Sequence, residues 1–352
     1  MGKQQIRDNS QYHDGSADGF EPLVPLDLKK IHTFDDLLQA YKKTAFGART
    51  LGEAADVLYD MVTDKDCFVV ATFSGAMTVA KMGLVICEMI ETGMIDAVIS
   101  TGALMAHGLV EAEGMAHYKY KEGMDDKALY LSGYDRVYDT LELEQNLDDV
   151  VKTVDKVLEG LPREQPLCSH IFCREIGRYL KETYPQSRGV LKSAFENHVP
   201  VFVPAFTDSE LGLDVAIFNR RLKMAGISDG LKFDPFLDLD YYAETLMKQK
   251  RLGIFTIGGG VPRNWAQQFA PYMDITAKRL NIEMPELRFN YGVRICPEPV
   301  HWGGLSGCTY SEGVSWGKFV PPSEGGKWAE VPSDATLVWP LLIKAVLERL
   351  GK

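Results

Sequence analysis

No apolar run in this sequence approaches the roughly 18 residues that a membrane-crossing helix needs, so no spanning helix is expected. The opening residues MGKQQIRDNSQYHDGSADG are polar, with no apolar signal segment, and a cytoplasmic location is the expectation. Cysteine is sparse: Cys67, Cys87, Cys168, Cys173, Cys296 and Cys308 are scattered with no CxxC pair. Reduced thiols are expected rather than a disulfide framework. Positive charge is also short. A formal net charge of −11 argues against nucleic acid as the main partner, because phosphate binding needs the opposite sign. HExxH, the phosphate loop and the GxGxxG fingerprint are all missing. The stretch CSHIFC brings Cys168, His170 and Cys173 together. No second cluster completes a tetrahedral zinc site, and its apolar neighbours read as a helix lying against the core. No metal site is expected.

What remains is the composition of a globular protein: 352 residues, 45% hydrophobic and 25% charged, enough chain to bury a substantial core. Residues 1–25 are polar and read as a flexible arm; residues 26–352 read as a single catalytic domain. Apolar residues recur at helical spacing over 33–62. Short apolar runs then alternate with helical stretches: CFVVATFSG (67–75), DAVISTG (96–102), VPVFVPAFTD (199–208) and LGIFTIGGG (252–260). Strands that are apolar almost throughout are covered by helices on both faces, which predicts an α/β fold with a doubly wound, mostly parallel sheet. The segment 336–350 reads as a closing helix.

Ligands in such sheets bind beyond the carboxyl ends of the strands. Four strand ends here carry small or polar residues: 72–75, 100–102, 207–208 and 258–260. Any one could be a tight turn with no ligand. Four in register along one edge favour a Rossmann-like nucleotide crevice, since glycine lets a backbone approach a pyrophosphate and the following helix offers its N–H groups.

The stretch SEGVSWGK (311–318) sets Glu312, Trp316 and Lys318 within eight residues. Lysine is protonated at neutral pH with an ordinary pKa of about 10.4. Buried beside an aromatic wall it can release its amine for imine chemistry, with Glu312 binding a cation or moving protons. A solvated loop charge fits the same spacing. His107, just beyond a strand end, and the pair His301–Trp302 are further candidates for a pocket.

Six stretches carry a resemblance. TFSGAMTVAKMG (72–83), AVISTGA (97–103), HVPVFVPAFTDSELG (198–212), IGGGVPRNW (257–265), EGVSWGK (312–318) and SDATLVWPLL (333–342) follow the order of the deoxyhypusine synthase family. The chain resembles that family from about residue 33 onwards. The resemblance implies NAD as cofactor, a polyamine substrate and a homotetramer with sites between subunits. It also implies transfer of an aminobutyl group from spermidine through an imine on Lys318, with Trp316 lining the pocket and Glu312 binding substrate. The acceptor is a translation-factor lysine in deoxyhypusine synthases and putrescine in homospermidine synthases that arose from them; a catalytically idle NAD-binding subunit is a third reading. Small-amine transfer is the preferred one.

For NAD the resemblance points to Met77, Thr78, Lys81, Thr101, Gly102, Asp208, Gly259, Ser306, Asp334 and Ala335. Around the substrate it points to Gly303, Gly304, Leu305, Asn264, His107 and Asp214. Several of these depart from eukaryotic members. Asn264 stands where those have histidine, Leu305 where they have aspartate, His107 where they have glutamate and Trp302 where they have another acid. Asp214 stands one residue beyond a polyamine-binding acid.

Overall fold

The computed structural model describes residues 9–352. Nine strands occur among them: β1 (Cys67–Phe73), β2 (Ala97–Ser100), β3 (Tyr118–Lys119), β4 (Tyr134–Val137), β5 (Thr140–Leu143), β6 (Val201–Phe202), β7 (Arg251–Ile257), β8 (Phe289–Ile295) and β9 (Lys327–Val331). Six form one sheet in the order β6-β2-β1-β7-β8-β9, and every pairing in it is parallel. From β1 the chain builds outward through β2 and β6, then returns to β1 and builds the other way through β7, β8 and β9. The strand order therefore reverses between β1 and β7, the switch point at which doubly wound sheets open a crevice.

Both faces of this sheet are buried, as the unbroken apolar runs require. Alternate residues of β1 point to opposite sides. Val69, Ala71 and Phe73 enter one core with Leu58, Ile86, Leu104 and Trp339, while Val70 enters the other with Tyr242, Phe269 and Phe319. Trp339, from the Ala335–Arg349 helix, is wholly buried with its ring 5.5 Å from that of Phe73. The closing helix thus sits under the end of β1.

CSHIFC begins the Ser169–Thr183 helix, as its apolar neighbours predicted. Its free N–H groups are met from another helix. The buried Asp238 carboxylate accepts from Ser169 N (3.0 Å), Ser169 Oγ (2.8 Å) and His170 N (2.9 Å). Burial pushes the Cys168 thiol up to about 12 and the His170 imidazole down to about 4.

The four strands read from the sequence are present. Two others, β8 and β9, were not. FNYGVRI and KWAEV carry Asn290, Gly292, Arg294, Lys327 and Glu330, which break the apolar run that marks a buried strand. Arg294 is nevertheless buried, balanced by Glu330 across the β8–β9 pair at 3.1 Å. A second, antiparallel sheet of order β3-β5-β4 was also unread. Of the expected arm, residues 1–8 lie outside the described residues. Residues 9–25 are exposed and hold one three-residue 3-10 helix, Asn9–Gln11. No helix among the described residues is long and apolar enough to cross a membrane.

Truncating Trp339 removes a large ring from a closed core and leaves a cavity. Trp339→Ala is expected to lower the unfolding free energy by about 3–5 kcal/mol, read as a shift in the denaturant midpoint at unchanged slope.

Candidate functional site

Lys318 owes its position to the way a short helix ends. The Tyr310–Ser315 helix is capped at its start by Thr309, whose side chain accepts from Glu312 N at 3.1 Å. It stops at Gly317, which has φ +67°, the left-handed conformation that glycine adopts without strain. Gly317 N then donates to the Val314 carbonyl and Lys318 N to the Gly313 carbonyl, both at 3.0 Å. This crossed pair is the Schellman motif. The Lys318 carbonyl in turn accepts from Phe289 N at 3.0 Å, fixing the lysine to the first residue of β8. Gly313 must lack a side chain, because a Cβ there would lie 2.7 Å from the Phe319 ring.

The Lys318 side chain enters a cleft of about 510 Å³ shared with Trp316, Glu312, Asn264, Leu305 and Cys308. Its Nζ lies 3.3 Å from Asn264 Oδ1 and 5.9 Å from the centre of the Trp316 ring. Burial lowers the lysine pKa, and the Arg263 charge lowers it further; Cys308 and Glu312 act in the opposite direction without reversing the shift. Trp316 itself is largely exposed and forms the rim.

One wall of the cleft is the Gly260–Gln267 helix that follows β7. Gly259, which precedes it, packs against the 296–309 loop so closely that a Cβ would lie 2.7 Å from Ser306 Cα. Arg263 holds the loop there, donating to the carbonyls of Ser306 (3.2 Å) and Cys308 (2.6 Å). Arg294 donates to the Ser306 carbonyl at 3.0 Å and also to that of Cys308. Sequence reasoning missed Arg263, Gln267 and Gln268. Their signal was a set of polar residues at helical spacing (263, 264, 267, 268) in a helix that follows a core strand.

The ends of β1, β2 and β7 are tied together. Ser74 Oγ accepts from Gly259 N at 3.1 Å and donates to the Gly259 carbonyl. Thr101 caps the Gly102–Ala112 helix through Leu104 N (3.2 Å) while its hydroxyl donates to the Gly75 carbonyl at 2.5 Å. Gly75, Gly258 and Gly260 all have positive φ, so three turns at this edge depend on glycine. A side chain at Gly102 would overlap Ser209. Asp334 caps the closing helix through Thr336 N at 2.9 Å, next to Ala335, and Asp208 lies in the turn after β6.

Other residues singled out in the sequence are elsewhere. Thr78 is buried, donating to the Leu104 carbonyl at 2.8 Å, and Met77 packs on the core. Lys81 pairs with Glu111 at 3.0 Å. Within the chain, Gly304 and Leu305 line the cleft, while Gly303, His107 and Asp214 do not. His107 meets Glu142 at 3.1 Å. Asp214 is buried in the Glu210–Met224 helix, its carboxyl pushed up to about 6 by burial and by Asp155 and Glu210. Trp302 faces solvent.

Lys318 should react with an amine-selective acylating reagent at lower pH than surface lysines, as followed by peptide mass spectrometry. Asn264→Asp places a negative charge beside Nζ, favours the ammonium form and should move that reactivity to higher pH.

The family model for deoxyhypusine synthase matches residues 36–346. The "Probable deoxyhypusine synthase 2" of Methanosarcina acetivorans is 33% identical over 331 residues, covering 93% of this chain and 90% of the relative. A "Deoxyhypusine synthase-like protein" of Chlorobaculum parvum is 31% identical over 325 residues, covering 92% and 88%. Among solved structures, one titled as "a putative deoxyhypusine synthase" from Entamoeba histolytica superposes with a TM-score of 0.58 at 15% identity, covering 92% of this chain and 96% of the other; it is a likeness of fold. With a family match across most of its length and relatives alike over nine-tenths of it, the chain belongs to the deoxyhypusine synthase family.

Proposed function

We propose that this chain is an NAD-dependent transferase that moves an aminobutyl group from spermidine, or a similar amine, through an imine on Lys318 to an acceptor amine. The observation that carries the reading is the Lys318 amine, fixed by its backbone, half-buried in a cleft and shifted toward its neutral form. A neutral amine has the lone pair that attack on an imine carbon requires.

The residues at the sheet edge fit NAD. Glycine turns at Gly75, Gly258 and Gly260 meet at the switch point, and Thr101 with Gly102 opens a helix there, an arrangement that brings backbone N–H groups to phosphate. Thr101, Gly102, Asp208, Gly259, Ser306, Asp334 and Ala335 would hold the cofactor. When bound, it accepts hydride from the carbon beside the secondary amine of the substrate and later returns it.

The remaining steps belong to the chain. Lys318 Nζ attacks the substrate imine; the bond from that carbon to the departing nitrogen breaks, diaminopropane leaves and the aminobutyl group remains as an imine on Nζ. Attack by the acceptor amine at the same carbon frees Nζ again. Asn264 orients the lysine through its Oδ1, and the ring of Trp316 shields one side from water. Glu312 supplies a negative charge at the mouth for an ammonium group. Gln267 Nε2, buried beside the cleft without a hydrogen-bond partner, can donate to a substrate atom.

The preferred acceptor is a small amine such as putrescine. The name of the Methanosarcina acetivorans relative, a probable deoxyhypusine synthase, supports a second acceptor, the lysine of the translation factor. We further propose a homotetramer, in which Asp214, outside the cleft of its own chain, would serve a site formed with a neighbouring subunit.

The test is incubation with NAD and spermidine, with and without putrescine, with borohydride added to trap an imine. Diaminopropane release and an aminobutyl adduct on Lys318 are expected, with homospermidine when putrescine is present. Lys318→Arg should abolish transfer while NAD still binds. Wild-type transfer by that variant would sink the imine mechanism.

A further inference from the structure

Away from the Lys318 cleft, three side chains from separate elements converge. His107 projects from the Gly102–Ala112 helix, His117 immediately precedes β3, and Glu142 lies in β5. Their donor atoms all lie within 4.8 Å of one another. Glu142 Oε2 is 3.1 Å from His107 Nδ1 and 2.5 Å from His117 Nε2. The side chains of His117 and Glu142 are each about 1% exposed, and that of His107 12%. Ten residues separate the histidines and twenty-five more the glutamate, a spacing that no short motif describes.

We propose that His107, His117 and Glu142 form a binding site for a divalent transition-metal ion of the Zn²⁺ type. Two imidazoles and one carboxylate, with a further position open, are a donor set that such ions take.

Three observations besides the cluster itself point to a cation. First, His117 Nε2 is buried and aimed at Glu142, yet makes no hydrogen bond: it comes close without the alignment a hydrogen bond needs. A lone pair directed at a cation between the two groups has no such requirement. Tetrahedral zinc with bonds of about 2.0–2.1 Å separates its donors by about 3.3 Å, so the His117–Glu142 pair needs to open by less than about 1 Å.

Second, the carboxylate is held as a ligand would be. Its Oε1 accepts from Asn146 Nδ2 at 2.7 Å and from Leu143 N at 3.2 Å, leaving Oε2 to face both histidines. Asn146 is itself fixed by the Ala116 carbonyl at 3.0 Å. Outer partners of this kind orient metal ligands.

Third, the register of the β4–β5 hairpin places Asp135 directly opposite Glu142. Like charges across a strand pair are destabilising, and a bound dication offsets them. Lys81 Nζ lies 2.7 Å from His117 Nδ1. When Nε2 binds the ion, Nδ1 carries the proton and no longer accepts from the Lys81 ammonium, so Lys81 turns from the ring to its other partner, Glu111. Such an ion would fasten the small antiparallel sheet to the helix that follows β2.

The test uses the full chain, stripped with chelator and titrated with Zn²⁺ and Co²⁺ by calorimetry and visible absorption. One ion per chain is expected, with a cobalt spectrum free of thiolate charge-transfer bands and a higher melting temperature. His107→Gln, His117→Gln and Glu142→Gln should each weaken binding by roughly a hundredfold or more, taking the upper range of losses seen when the supporting partners of metal ligands are removed as a floor. X-ray absorption on the zinc-loaded wild type should show a nitrogen and oxygen shell with two imidazoles, a readout that does not depend on any variant folding. Failure to bind one ion per chain, sulfur in the shell, or wild-type affinity in folded variants would overturn the proposal.

Discussion

Two buried guanidinium groups hold this site in shape. Arg263 comes from the helix after β7 and Arg294 from β8, and both donate to the same two carbonyls, Ser306 and Cys308. Burying an arginine is costly unless its charge and its donors are answered. Arg294 has Glu330 as a direct partner. Arg263 has carbonyl dipoles and, at 5.4 Å, the face of Tyr310. Its charge is therefore only partly answered, and Lys318 feels it. The group that fastens the loop over the strand end also biases the lysine toward its neutral amine. One residue thus serves both the shape of the cleft and the charge state of its lysine.

That fastening works because of the sheet beneath it. Strands apolar on both faces leave the polar groups nowhere to go except the strand ends, and the reversal of order between β1 and β7 parts two helices at one of those ends. Ser74, Thr101 and Gly259 then lace the ends together through backbone groups. The first turn after β7 becomes a wall of the cleft, and the 296–309 loop becomes its lid.

The parts legible in the sequence were those with one dominant signal. Continuous apolar runs marked β1, β2, β6 and β7, and the stretch 311–318 marked Glu312, Trp316 and Lys318, which line one cleft. The elements that escaped carry mixed signals. β8 contains Arg294, whose burial depends on Glu330 in β9, and neither strand shows that pairing alone. The small sheet is short and half-exposed, so its pattern is weak. Arg263 looked like one polar residue in a loop motif, because its partners are backbone carbonyls forty and more residues away. Asp238 capping a helix almost seventy residues earlier is invisible for the same reason. Long-range polar pairing leaves no local period to read.

The backbone of Lys318 is held on both sides, its N–H by Gly313 and its carbonyl by Phe289. Its α-carbon is thus a fixed pivot, and the amine moves only by rotation about the bonds of its own side chain. Anything covalently attached to Nζ would swing as the tip of a crane with an anchored base. Rotamer changes occur within picoseconds to nanoseconds, whereas moving a loop takes nanoseconds to microseconds. Carrying a group from one side of the cleft to the other therefore requires no backbone rearrangement, and the distance over which it can be carried is set by the length of a single side chain.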